Sequence, residues 1–225
     1  MNFTTTENFI LLAQHPSKGR FLINDIYLNY GLTGAILLDL SLNEIIILEN
    51  KKLCLIKEYT GENKLITEIS KFIQYSKKPR KLKNWIGKIA NKVRKKKWLM
   101  IQQLADKGLL KVVDKKFLGI FSYKKNYLIE KNLRDNLIRD IKHAVLNQEH
   151  LTNDMLVLIG LIEACKMHKI FNAGRSETKE LREKMKQIIK ECPIAETIKE
   201  SIMEIQAAIM VSVIAASSAA TISSN

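Results

Sequence analysis

The residues in this sequence best equipped for chemistry are cations, and they are concentrated in one place. Between Lys77 and Lys97 stand eleven Lys and Arg, and no acid interrupts the chain between Glu68 and Asp106. Cations at this density attract phosphate and other oxyanions. Lys92, Arg94, Lys95, Lys96 and Lys97 form the densest part of the run. Apolar residues are threaded through the charge: Trp85, Ile86, Ile89, Val93, Trp98, Leu99, Ile101 and Leu104. The spacing predicts two basic amphipathic helices over residues 84–107, stopped by Gly108. Such helices meet an anionic surface, either lipid headgroups or nucleic acid.

Other chemistry is poorly supplied. His15, His143, His150 and His168 make no zinc spacing, and His168 beside Cys165 is too weak a pair to read as a metal site. No nucleophile elbow, dinucleotide fingerprint or phosphate loop occurs, and Asp135 and Asp140 read as a solvated helix face. The expectation is a protein that is not an enzyme and needs no cofactor. Cys54, Cys165 and Cys192 are odd in number and far apart, which fits a reducing compartment without a disulfide framework.

The formal net charge is +14, so removing the eleven clustered cations leaves +3. The basicity is local, as in a docking patch. Hydrophobic content of 46% supplies ample core, and three prolines and nine glycines argue against a linker-rich chain. The N-terminus lacks a basic n-region and a clean apolar core, so no signal peptide is expected. Ala207–Ile222 is uncharged but shorter than the roughly 20 residues of a spanning helix. It reads first as a buried core helix and second as a tail anchor.

The elements that must position the cations follow from periodicity. Helices are expected over residues 4–13, capped by Thr4 or Thr5 with Glu7; 25–42; 62–75; 132–147; 153–171; 177–191, broken by Pro193; and from 195 onward. Gly31 and Gly34 on the second helix read as a packing notch. Residues 44–58 and 109–127 read as β-hairpins. In the second hairpin Phe117, Leu118, Ile120 and Phe121 stand between Lys115-Lys116 and Lys124-Lys125. They either face the core or insert into a bilayer with the lysines at headgroup level. The fold class expected is mainly α: one domain over 5–222, a hydrophobic helix bundle ringed by amphipathic helices, with one or two short hairpins.

In order along the chain stand Phe9-Ile-Leu-Leu-Ala with the Gly19 turn, Gly31-Leu-Thr-Gly34-Ala-Ile-Leu-Leu-Asp-Leu, and Asn84-Trp85-Ile86 after the basic run. Leu104-Ala-Asp-Lys-Gly108-Leu-Leu, Phe117-Leu-Gly-Ile-Phe121, Met155-Leu-Val-Leu-Ile-Gly-Leu-Ile and Ile205-Gln-Ala-Ala-Ile follow. In that order and spacing, over residues 5–220, the chain resembles the Golgi phosphoprotein 3 family. The resemblance implies a mainly α fold and a peripheral protein of membrane trafficking. It implies a place on the cytoplasmic face of a membrane (the Golgi in eukaryotes) and binding of phosphatidylinositol 4-phosphate. It further implies cytoplasmic tails of membrane proteins as partners; self-association is an option that the sequence itself leaves open. Carried over by position, the headgroup pocket's basic pair falls on Arg94 and Lys97, next to Lys95. Its Arg falls on Thr33 and its aromatic on Asn24, so a hydroxyl and an amide replace a charge and a ring. The membrane-inserting hairpin falls on residues 111–127. Nucleic acid remains the alternative partner of the basic helix. That reading calls for base-reading polar groups, for which only Asn84, Gln102 and Gln103 stand nearby, or for stacking aromatics.

Overall fold

The computed structural model describes residues 3–76, 78–118, 120–191, 199–200 and 202–212, except the side chain of Phe117. The protein is mainly α with two small antiparallel sheets. Three helices are apolar nearly all round and form the centre: α1 (Thr5–Ala13), α2 (Asp25–Leu42) and α6 (Asn153–Ala164). Around them lie four amphipathic helices: α3 (Lys64–Gln74), α4 (Leu82–Asp106), α5 (Lys131–Asn147) and α7 (Arg175–Glu191). This is the expected bundle, because a helix with one apolar stripe must lay it against another element.

Local chemistry sets the ends. Thr4 caps α1 with a complete capping box, its hydroxyl accepting from the Glu7 amide while the Glu7 carboxylate accepts from the Thr4 amide. Asn24, Asn63 and Thr152 cap α2, α3 and α6. At the end of α4, Gly108 takes the left-handed conformation (φ 76°), its amide bonding the Ala105 carbonyl and that of Leu109 the Leu104 carbonyl.

The first hairpin joins β1 (Ile46–Glu49) to β2 (Lys52–Leu55) through Asn50 and Lys51. Both have positive φ, the geometry of a type I′ turn. A two-residue strand from the basic run, β3 (Arg80–Lys81), pairs with β2 and was not expected. The second hairpin, β4 (Leu110–Phe117) and β5 (Phe121–Leu128), closes with Phe117 opposite Phe121.

Two expectations are corrected. The basic region is one continuous helix of 25 residues, α4, and not two. No Gly or Pro interrupts residues 88–106, and the apolar row Ile86, Ile89, Val93, Met100, Ile101 and Leu104 stays buried throughout. Residues 153–171 are not one helix either. Lys166 turns left-handed (φ 52°), and the Lys166 and Met167 amides bond the Glu163 and Ile162 carbonyls, ending α6 before a 3-10 turn at His168–Phe171.

Residues 202–212 are helical, burying Ile202, Ile205 and Ile209 while Met203, Met210 and Val211 face solvent. This stretch is therefore one-sided and not apolar all round. The rest of Ala207–Ile222, with Cys192 and the Pro193 break, lies outside the described residues. No helix among the described residues is long and apolar enough to cross a membrane.

Candidate functional site

The site is built where α4 crosses α2. Asn84, Gly87, Lys88, Asn91, Arg94 and Lys95 recur at three- and four-residue spacing along the exposed face of α4. Beside them a cleft of about 260 Å³ runs between the helices, walled by Ile26, Asn29 and Tyr30 of α2, by Gly87, Ala90, Asn91 and Arg94 of α4, and by Ser212. A Cβ at Gly87 would meet nothing within 4 Å, so the missing side chain leaves that wall open. The volume falls below the roughly 300–1,000 Å³ of sites for drug-sized molecules and has room for a small anion such as a phosphate group. Arg94 donates to Asn91 Oδ1 at 3.0 Å and has no acid partner among the described residues.

Lys97 behaves differently. Its side chain is 9% exposed, and its ammonium donates to Asp25 Oδ1 at 2.9 Å and to Asn29 Oδ1 at 3.3 Å. Asn29 lines the cleft, so Lys97 stands behind it, already neutralised. Lys92 and Lys96 are also engaged, both gripping Glu68 of α3 at 3.2 and 2.6 Å. The hydrogen bond from Lys96 leads the effects that hold the Glu68 carboxyl below its usual range. Lys88, Arg94 and Lys95 are left as exposed cations of this face without an acid partner among the described residues.

The two α2 positions carried over from the resemblance do not face the cleft. Thr33 is completely buried, and its hydroxyl donates to the Asn29 carbonyl at 2.8 Å. The Asn24 side-chain Oδ1 accepts from the Ile26 and Tyr27 amides at 3.0 and 3.1 Å as the helix cap. The aromatic of the cleft is Tyr30. Sequence reasoning passed over it, although it directly precedes Gly31. Gly31 and Gly34 are packing notches: a Cβ at Gly31 would lie 2.2 Å from the Phe9 ring, and one at Gly34 2.8 Å from Ile205.

The second hairpin carries the other part of the site. Leu118, Ile120 and Phe121 are 74%, 78% and 64% exposed, and Lys115, Lys116 and Lys124 are exposed beside them. Leu118 takes a positive φ of 51°, which the tight closure between Phe117 and Phe121 imposes. At its base the hairpin is anchored. Gln14 Nε2 donates to the Asn126 carbonyl at 2.5 Å, and the Asn126 amide donates to the Gln14 side chain, both residues being buried.

The class so defined is a mainly α bundle presenting a cationic cleft on one helix and an apolar tip on one hairpin. A family model described as Golgi phosphoprotein 3 (GPP34) matches residues 6–205, and the chain belongs to that family. No curated protein matches it.

Proposed function

We propose that this protein docks peripherally on the cytoplasmic face of an anionic membrane. It binds a phosphoinositide headgroup, phosphatidylinositol 4-phosphate by family resemblance, in the α2–α4 cleft. The observation that carries the reading is the hairpin tip, three large apolar side chains in solvent beside three lysines. Nothing in the core explains them, and an apolar tip ringed by cations suits the acyl–headgroup boundary.

Magnitudes explain why both parts are needed. A cation near an anionic surface contributes about 1 kcal/mol, so Lys88, Arg94 and Lys95 together supply about 3 kcal/mol. That is weaker than millimolar affinity, and stable residence needs the inserted tip as a second signal. Arg94 is the headgroup contact in this reading, with Tyr30 and Asn91 beside it and Lys97 held in reserve behind Asn29. The nucleic-acid alternative gains no support from the aromatics: Trp85 is buried, and Trp98 packs against the core. Holding the cytoplasmic tails of membrane proteins, which the resemblance also implies, extends the same docking function.

Flotation with vesicles containing phosphatidylinositol 4-phosphate, phosphatidylglycerol or phosphatidylserine tests this. Arg94→Glu should weaken binding to all three about tenfold or more, and Ile120→Asp in the tip should abolish stable flotation. Preference for phosphatidylinositol 4-phosphate at equal charge identifies headgroup recognition. Unchanged flotation of both variants would overturn the proposal.

A further inference from the structure

A second cleft, of about 590 Å³, opens where α5 meets the 3-10 turn and the loop at Pro16. It shares no residue with the α2–α4 cleft. Four cations line it, Arg134, Arg139, Lys142 and Lys169, against one carboxylate, Asp135. Lys142 is held by Glu177 and Arg139 lies 3.9 Å from Asp140, whereas Lys169 has no ion partner among the described residues.

Arg134 is the decisive residue. It is 4% exposed yet carries a permanent charge. Its Nη1 donates to Asp135 and its Nη2 to the Leu12 carbonyl, both at 3.4 Å, while the buried Nε–H has no partner among the described residues. Both bonds are long for charged groups, and Asp135 stands mostly in solvent. A buried guanidinium with five donors is thus poorly compensated. Burial accordingly pushes its pKa down.

His15 adds a neutral donor. Its Nδ1 accepts from the Ser17 and Lys18 amides at 3.1 and 3.0 Å, which leaves the proton on Nε2. Partial burial, then the charges of Lys18, Arg20 and Arg134, lower its pKa and favour this neutral form. Ile138 and Phe171 give the cleft an apolar wall.

We propose that this cleft binds a soluble phosphate group, inorganic phosphate or a small phosphate monoester. The Arg134 fork takes two oxygens, Lys169 and Arg139 supply charge at the rim, and His15 Nε2–H donates to a third oxygen. The apolar wall accommodates the organic part of a monoester. The fork geometry suits an oxyanion, and the bound charge would compensate the buried guanidinium.

The test is titration of the full chain with inorganic phosphate and with glycerol 3-phosphate at constant ionic strength against chloride. The Arg134 Nε–H resonance and the melting temperature are the readouts. Both ligands should shift the resonance saturably and raise the melting temperature. Arg139→Glu and Lys169→Glu, at the exposed rim, should each weaken phosphate binding about tenfold while melting in chloride as the parent does. Arg94→Glu should leave the phosphate-induced shift of the Arg134 resonance unchanged, which separates this site from the membrane-docking cleft. Phosphate that acts no differently from chloride, or binding lost on Arg94→Glu and kept in both rim variants, would overturn the proposal.

Discussion

At the scale of single residues, Arg94 and Lys97 have different surroundings: Arg94 is free of any acid among the described residues and Lys97 is paired with Asp25. Three apart on α4, they looked equivalent in the sequence, but Lys97 also stands four from Val93 and four from Ile101 and so falls on the buried row. A lysine can lie there only with a partner, and Asp25 supplies it. Asp25→Asn should release the Lys97 charge and strengthen binding to anionic vesicles about fivefold. Asp154→Asn, remote in sequence on α6, serves as the control for net charge alone. Equal gains from both would mean that Lys97 takes no part in docking. The cationic character of this face was legible in composition. Which lysines were already neutralised was not, because Glu68 and Asp25 reach α4 only through the fold. Arg134 was hidden for a similar reason: its spacing to Ile138, Ile141 and Val145 marks the inward face of α5, yet its charge suggests solvent.

At the scale of elements, helix starts followed closely from sequence, since Thr4, Asn63 and Thr152 cap through their own side chains. Helix ends were legible where glycine marked them, as at Gly108. They were lost where Lys166 adopted the left-handed turn, because nothing in a lysine announces it. The start of α1 has a further support that sequence could not reveal. Asp39, buried on α2, accepts from the Thr5 and Thr6 amides at 2.7 and 2.9 Å and from the Thr6 hydroxyl. Burial raises its pKa against these hydrogen bonds. Asp39→Ala should cost about 2–4 kcal/mol in denaturant unfolding, since it strands two buried amides at a helix start. Asp39→Asn, which retains one acceptor oxygen, should cost less.

At the scale of the whole molecule, Glu163 ties α6 to the 3-10 turn through His168 and to α7 through Arg182. Burial alone would raise its pKa, but His168, Arg182 and Lys186 hold it below the usual carboxylate range. A carboxyl depressed on folding stabilises the protein above its unfolded pKa, near 4.3, and that stability is lost as pH falls through the folded value. Glu163→Gln should therefore melt lower at pH 7 and show a shallower decline between about pH 5 and pH 3. Asp39, shifted the other way, takes its proton earlier in the folded state and works against this acid loss. Parallel melting profiles for parent and variant would remove Glu163 from the acid response. The mainly α architecture and both hairpins were legible because apolar period and turn residues agree along the chain. The pairing of α2 with α4 was not, since it joins segments some 70 residues apart.

The Gln14–Asn126 interlock bears on orientation. It spans 112 residues of sequence and pins the base of the second hairpin to the end of α1, while the apolar tip stands clear. The hairpin is thus a lever with its fulcrum in the core. A tip seated in a bilayer would fix the tilt of the whole body, and with it which clefts face the lipid and which face the cytosol. Gln14→Ala would loosen the fulcrum without touching the tip, so vesicle affinity should persist while the fixed tilt, read by site-directed spin labels, is lost.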